Sequence, residues 1–226
     1  MINKFYRRKY QLGIFSCLMA IALSSSLVFS PVATAKLFDG PVDRLPLEQR
    51  VSLRDGEVVF LGTDGKYTCR ILVKSSVDTA WKVITDYGHY AEFLPGVISS
   101  RVVKKTGDRQ VFEQINKIKT FVFSIESRVK IATKEYYPKQ ITFQAVGGDL
   151  KTLNGEWILE PVAISSSFPP DKVLMTYKVM VKSAKAPSDI FYNIYESRLQ
   201  ETIMAIKQEA EKRSGKKKDL ISLTKS

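Results

Sequence analysis

One histidine, His89, and two cysteines, Cys17 and Cys69, leave little scope for several familiar chemistries in this 226-residue chain. A lone histidine excludes metal sites built on several imidazoles and a serine–histidine–aspartate triad with a spare partner. Paired-cysteine motifs and glycine-rich phosphate loops are missing too, so neither a dithiol redox centre nor a nucleotide cradle is expected. Acids are in deficit: 23 Asp and Glu face 35 Lys and Arg, a formal charge of +12. No internal repeat or long low-complexity tract is present.

What is there begins with a segment that does not read as fold. Lys4, Arg7, Arg8 and Lys9 precede an apolar run from Leu12 to Phe29, and Ala33-Thr34-Ala35 offers the small-x-small pattern of signal cleavage. Residues 1–35 are therefore expected to be an export signal, with an uncleaved anchor as the competing reading. A lipoprotein site at Cys17 is disfavoured by Phe15 before it, and Arg7-Arg8 fits an ordinary basic n-region better than a twin-arginine signal. The mature chain of 191 residues, charge +8, suits one domain, with residues 36–61 as a lead-in. Its one cysteine, Cys69, excludes an internal disulfide and reads as a buried structural thiol.

From Ser76 to Pro95 the sequence SVDTAWKVITDYGHYAEFLP predicts two short helices and a stop. Ser76 is placed to cap, Asp78 complements the helix N-terminus, and Ala80, Trp81, Ile84 and Tyr87 recur at three- and four-residue spacing. Gly88 breaks the first helix, and Pro95-Gly96 ends the second. Period-two alternation then dominates from Val97 to Lys185. Phe121, Phe123, Ile125, Val129 and Ile131 alternate with Ser124, Glu126, Arg128 and Lys130, and Val173, Met175, Tyr177, Val179 and Val181 form the most regular run. After Pro187-Ser188, Phe191, Tyr192, Tyr195, Leu199, Ile203 and Ile206 share one side of a long helix. Beyond Ser214-Gly215 that period is lost, and residues 213–226 read as a fraying basic tail.

The order of these elements, with DTAWKVITDYGHYAEFLPGV at Asp78 to Val97 and GDLKTLNGEWILEP at Gly148 to Pro161, resembles the START-like (SRPBCC) superfamily. The nearest branch is polyketide cyclase/dehydrase and coenzyme Q-binding START-like proteins, and the likeness covers about residues 62–212. It implies an α+β helix-grip fold: a curved antiparallel sheet around a long C-terminal helix, with two short helices after the first strand. It also implies a ligand cavity, while Asp86-Tyr87 and Phe93-Leu94-Pro95 take a structural role at the helix corner. The scaffold hosts carriers, receptors and a few cyclases, so it does not choose a function.

The residues therefore support an exported, non-enzymatic binder or carrier of a hydrophobic small molecule such as a lipid, quinone or isoprenoid. A cyclase or aromatase acting on a polyketide-like substrate, or a membrane-associated assembly factor, are the alternatives. No cofactor, metal or nucleic acid partner is expected, and the chain is read as a monomer. Cavity candidates are Phe121, Phe123, Phe143, Trp157, Met175, Tyr177, Tyr195 and Leu199, each equally at home in a packed core. Tyr177, on a dry strand face, needs a partner for its hydroxyl. Glu113, Glu126, Arg128 and Tyr177 are the remaining acid–base candidates, of which Glu126 and Arg128 fall on the wet face of their strand, and His89 reads as a polar residue at the helix corner. Lys212, Arg213, Lys216, Lys217 and Lys218 are candidates for contact with an anionic membrane.

Overall fold

Residues with period-two alternation build one long sheet, and the stripe at 3.6-residue spacing builds the helix the sheet curls around. The computed structural model describes residues 40–119, 124–184 and 188–223. In order these form α1 (Leu47–Asp55), β1 (Val59–Thr63), β2 (Lys66–Val73), α2 (Val77–Ile84), a 3-10 turn (Tyr87–His89), α3 (Tyr90–Phe93), β3 (Val97–Thr106), β4 (Arg109–Lys119), β5 (Ser124–Tyr136), β6 (Gln140–Gly148), β7 (Leu150–Val162), β8 (Lys172–Ser183) and α4 (Ser188–Leu223). The strands form one antiparallel sheet in the order β1-β2-β8-β7-β6-β5-β4-β3. This is the helix-grip fold that the element order implied.

The helix corner is built as its residues dictate. The Thr79 N–H donates to Ser76 Oγ at 3.2 Å, capping α2, which buries Ala80, Trp81, Val83 and Ile84. Tyr90 donates its hydroxyl to the Ile84 carbonyl at 2.6 Å, fastening the second helix to the first. Gly96 then turns the chain at φ 76°, a conformation that strains any residue with a Cβ. At the far end of β5, Tyr137 packs edge-on against Trp81 at 5.3 Å and donates to Asp78 at 2.8 Å, closing that end of the sheet.

Polar contacts clasp α4 at both ends. Near its start, Tyr67 of β2 donates to Glu196 at 2.8 Å. Near the corner, the Lys74 N–H donates to Glu211 at 2.9 Å and Arg213 reaches Asp86 at 2.9 Å. Between these clasps α4 lies over the concave face, where Leu199, Ile203 and Ile206 are buried.

Two expectations require correction. Residues 36–61, expected as a lead-in, contain α1 and the first three residues of β1. Leu53 of α1 joins Val42, Val59, Leu72 and Leu174 in a small apolar cluster on the convex face of the sheet. The helix was hard to see because only Leu53 of its nine residues is buried, leaving no stripe to read. The break foreseen at Ser214-Gly215 is also absent, for α4 continues to Leu223. One glycine costs an exposed helix only about 1 kcal/mol, which the helix-forming lysines around it can absorb.

Candidate functional site

Between the concave face and α4 lies a cavity of about 360 Å³. Its wall follows from strand register. Trp157 and Tyr177 are paired across β7 and β8, and Cys69 of β2 is paired with Tyr177 on the other side. Phe143 is paired with Gly155, where a side chain would meet the Phe143 ring at 2.7 Å and the Lys178 carbonyl at 2.0 Å. With no Cβ there, the Phe143 ring lies parallel to Tyr177 at 5.3 Å, and Trp157 approaches the Tyr177 ring at 4.6 Å. These contacts form an aromatic wall.

Tyr177 finds the partner its position demands. Its hydroxyl interacts with that of Tyr195 on α4, so a phenol pair faces the cavity from sheet and helix. Burial lifts both phenols above their ordinary range, and both therefore stay neutral. Tyr195 also stacks on Tyr67 at 5.9 Å and on Phe191 at 5.7 Å. Tyr67 is pushed up to about 12 by burial and by its bond to Glu196. Beneath this group Cys69 is buried, and burial pushes its thiol up to about 12.

The lining contains Phe143, Trp157, Tyr177, Tyr195 and Leu199 of the predicted set. Met175 does not take part. It shares Tyr177's strand face but lies one pair nearer the corner, opposite Ile71 and Leu159, where it is fully buried. Phe121 and Phe123 lie outside the described residues. Sequence reasoning missed Tyr87, Tyr90, Gln114, Asn116, Arg198 and Thr202, all of which line the cavity. Arg198 could have been found, because it stands three residues after Tyr195 and one before Leu199, at the edge of the apolar stripe.

Ile190, Glu126, Ser127, Asp149 and Ser183 all line the cavity near β-strand ends remote from the β5–β6 turn, so the mouth lies there. Glu126 is paired with Lys117 at 2.9 Å, and Asp149 accepts the Arg128 N–H at 2.9 Å. His89 is outside the lining, exposed, and bonded to Asp86 at 2.5 Å. Glu113 is held by Arg101 at 3.0 Å on the strand surface. Of the membrane candidates, Lys212 pairs with Glu209 at 3.2 Å, while Arg213 pairs with Glu209 at 2.8 Å and with Asp86. They stand at the corner end of α4, roughly 33 Å along the helix from Ile190 at the mouth. Only the backbone of Lys216, Lys217 and Lys218 is described, as part of α4.

The sequence profile for polyketide cyclase / dehydrase and lipid transport proteins matches residues 73–205, more than half of the chain. The chain belongs to that family. A search of curated protein sequences gives no significant match.

Among solved structures, the START-like architecture recurs at low sequence identity. The STAR-related lipid transfer protein of Xanthomonas axonopodis aligns at TM-score 0.52 and 17% identity, over 68% of this chain and 92% of that one. The Zhui aromatase/cyclase of Streptomyces sp. R1128 aligns at 0.51 and 14%, over 70% and 96%. A protein of Thermus thermophilus aligns at 0.53 and 13%, over 65% and 94%. Such identities establish a shared fold, and family membership brings hydrophobic-ligand binding or cyclase chemistry. The side chains of the cavity must decide between them.

Proposed function

We propose that this protein is a non-enzymatic binder or carrier of one hydrophobic small molecule, held in the cavity under α4. The observation that carries this reading is the chemistry of the wall. Its polar atoms include the Tyr177 and Tyr195 hydroxyls, which interact with each other and are kept neutral by burial. A catalyst that folds and dehydrates a reactive chain needs a group able to move protons near neutral pH. Here the single histidine is outside the lining, and the lining carboxylates are Glu126, solvent-exposed beside Lys117, and Asp149, which accepts the Arg128 N–H. A mostly apolar lining with few polar anchors suits binding, and about 360 Å³ lies within the roughly 300–1,000 Å³ usual for ligand sites.

Solvent extraction of the purified protein followed by mass spectrometry tests the reading. An apolar molecule in near-stoichiometric amount is expected. Turnover of a polyketide-like substrate, with no cargo retained, would instead establish the cyclase alternative.

Export completes the proposal. Its support is the basic n-region, apolar run and Ala33-Thr34-Ala35, and N-terminal sequencing of native protein should begin at Lys36. Peripheral contact with an anionic membrane through the basic end of α4 belongs to the same reading. It predicts vesicle binding that weakens steeply as salt rises.

A further inference from the structure

One residue on the lining face of α4 is unlike its neighbours. Ile194, Tyr195, Leu199, Ile203 and Ile206 give an apolar or aromatic wall, and Arg198 stands among them. Its side chain is 37% exposed. Among the described residues its ion-pair partner is Glu201, at 2.6 Å on the same helix, whose side chain is 44% exposed. A guanidinium carries five N–H donors in a planar fork, and this single contact uses one of them.

Among the described lining residues, Arg198 is the one cation. Glu126 and Asp149 have the partners described above. Gln114 and Asn116 of β4, which are bonded to each other at 2.7 Å, add neutral polar groups to the same lining. Thr202, one turn along, donates its hydroxyl to the Arg198 carbonyl at 2.8 Å and presents no competing charge. An exposed pair three residues apart is weak in water, so Glu201 does not hold the guanidinium against a better acceptor. A carboxylate within the cavity, partly shielded from solvent, would meet the fork in bidentate geometry. An uncharged ligand would leave a charged group beside its apolar body with nothing gained.

We propose that Arg198 recognises an anionic head group, a carboxylate, on an otherwise apolar ligand whose body lies against Phe143, Trp157 and Tyr177. This inference rests on the cavity-binding reading and narrows it to anionic amphiphiles. It differs from the phenol pair in kind, because a neutral hydroxyl pair orients a ligand without selecting its charge.

Oleic acid and oleyl alcohol, matched in chain and differing in head group, are the probes. Each is titrated below its aggregation threshold into the wild-type protein, Arg198→Gln and Glu201→Gln, and folding of each variant is checked by thermal melting. The wild type should bind the acid more tightly by roughly ten- to a hundredfold, the range for a hydrogen bond to a charged group. Arg198→Gln should erase that preference by weakening the acid alone. Glu201→Gln should strengthen the acid, because the guanidinium loses its competitor. Equal binding of acid and alcohol by the wild type, or equal weakening of both in Arg198→Gln, would overturn the assignment while leaving a ligand cavity intact. Binding of neither probe, together with an empty extract, would overturn the cavity reading and the Arg198 proposal with it.

Discussion

Arg213 of α4 donates to Asp86 of the helix corner across 2.9 Å, and the same guanidinium holds Glu209 at 2.8 Å. It also lies over the Phe93 ring at 5.5 Å. One side chain thus ties the helix that covers the cavity to the turn that closes it. Arg213→Gln should lower stability by about 1 kcal/mol, the upper range for a partly exposed pair. Urea unfolding of the variant checks this, and an unchanged midpoint would mean that the pair is idle.

The same corner should respond to pH. Burial alone would raise the Asp86 carboxyl, but hydrogen bonds from His89 and Arg213 outweigh it and hold the group below its ordinary range. The bond to Asp86 raises the exposed His89 imidazole. The Asp86 contribution is therefore present above about pH 3.9 and lost as pH falls through its lowered value. The His89 contribution is complete below about pH 6.5 and lost as pH rises through its raised value. Urea midpoints of wild type and His89→Gln should differ at pH 5.5 and converge by pH 8.5. A gap of constant size would show that the imidazole charge is irrelevant.

Tyr177→Phe removes the hydroxyl that interacts with Tyr195 of α4. If the two form a hydrogen bond, its loss should cost about 0.5–1.5 kcal/mol of stability. Ligand occupancy measured by extraction should fall with it, if the pair orients cargo as well as α4. Retained occupancy at reduced stability would confine Tyr177 to a structural role.

Gly155→Ala tests how the aromatic wall is made. The added methyl group meets the Lys178 carbonyl and the Phe143 ring, so overpacking should cost about 1–3 kcal/mol. Swinging the Phe143 ring relieves only its own contact, so the β7–β8 pairing at Lys178 must open as well. A crystal structure of the variant should show both the ring displaced from Tyr177 and the strands moved apart at Lys178, and an unmoved ring would show that Gly155 does not set the ring's place.

Cys69 should be inert in the native protein, since burial keeps its thiol protonated. Treatment with a thiol-specific disulfide reagent at pH 8, followed by peptide mapping, should leave the Cys69 peptide unlabelled until urea is added.

The sheet, the corner and the course of α4 were legible because each depends on local periodicity. Ser76, Pro95 and Gly96 mark the corner in sequence, and the structure puts each to that use. Tyr177 could be singled out as a phenol on a dry strand face, but its partner Tyr195 lies on another element, and strand alternation cannot say which side chains meet across a cavity. Met175 shows the same limit from the other side. It shares a face with Tyr177, yet its position along the strand puts it in solid core. Arg198 escaped notice because a helical wheel sorts residues into wet and dry and has no category for a charge at the border. α1 escaped because one buried leucine makes no pattern.

That single leucine has a mechanical consequence. With Leu53, Leu72 and Leu174 packed on the convex side and the main core on the concave side, β1, β2 and β8 are clamped between two dry layers. The other half of the sheet keeps much of its outer surface wet, with Val102, Val103 and Val146 exposed. Flexing the first half would shear two packed layers, whereas flexing the second shears one. The grip therefore has one jaw, β1, β2 and β8, packed on both faces, and another, β3 to β6, that rests on the concave core alone.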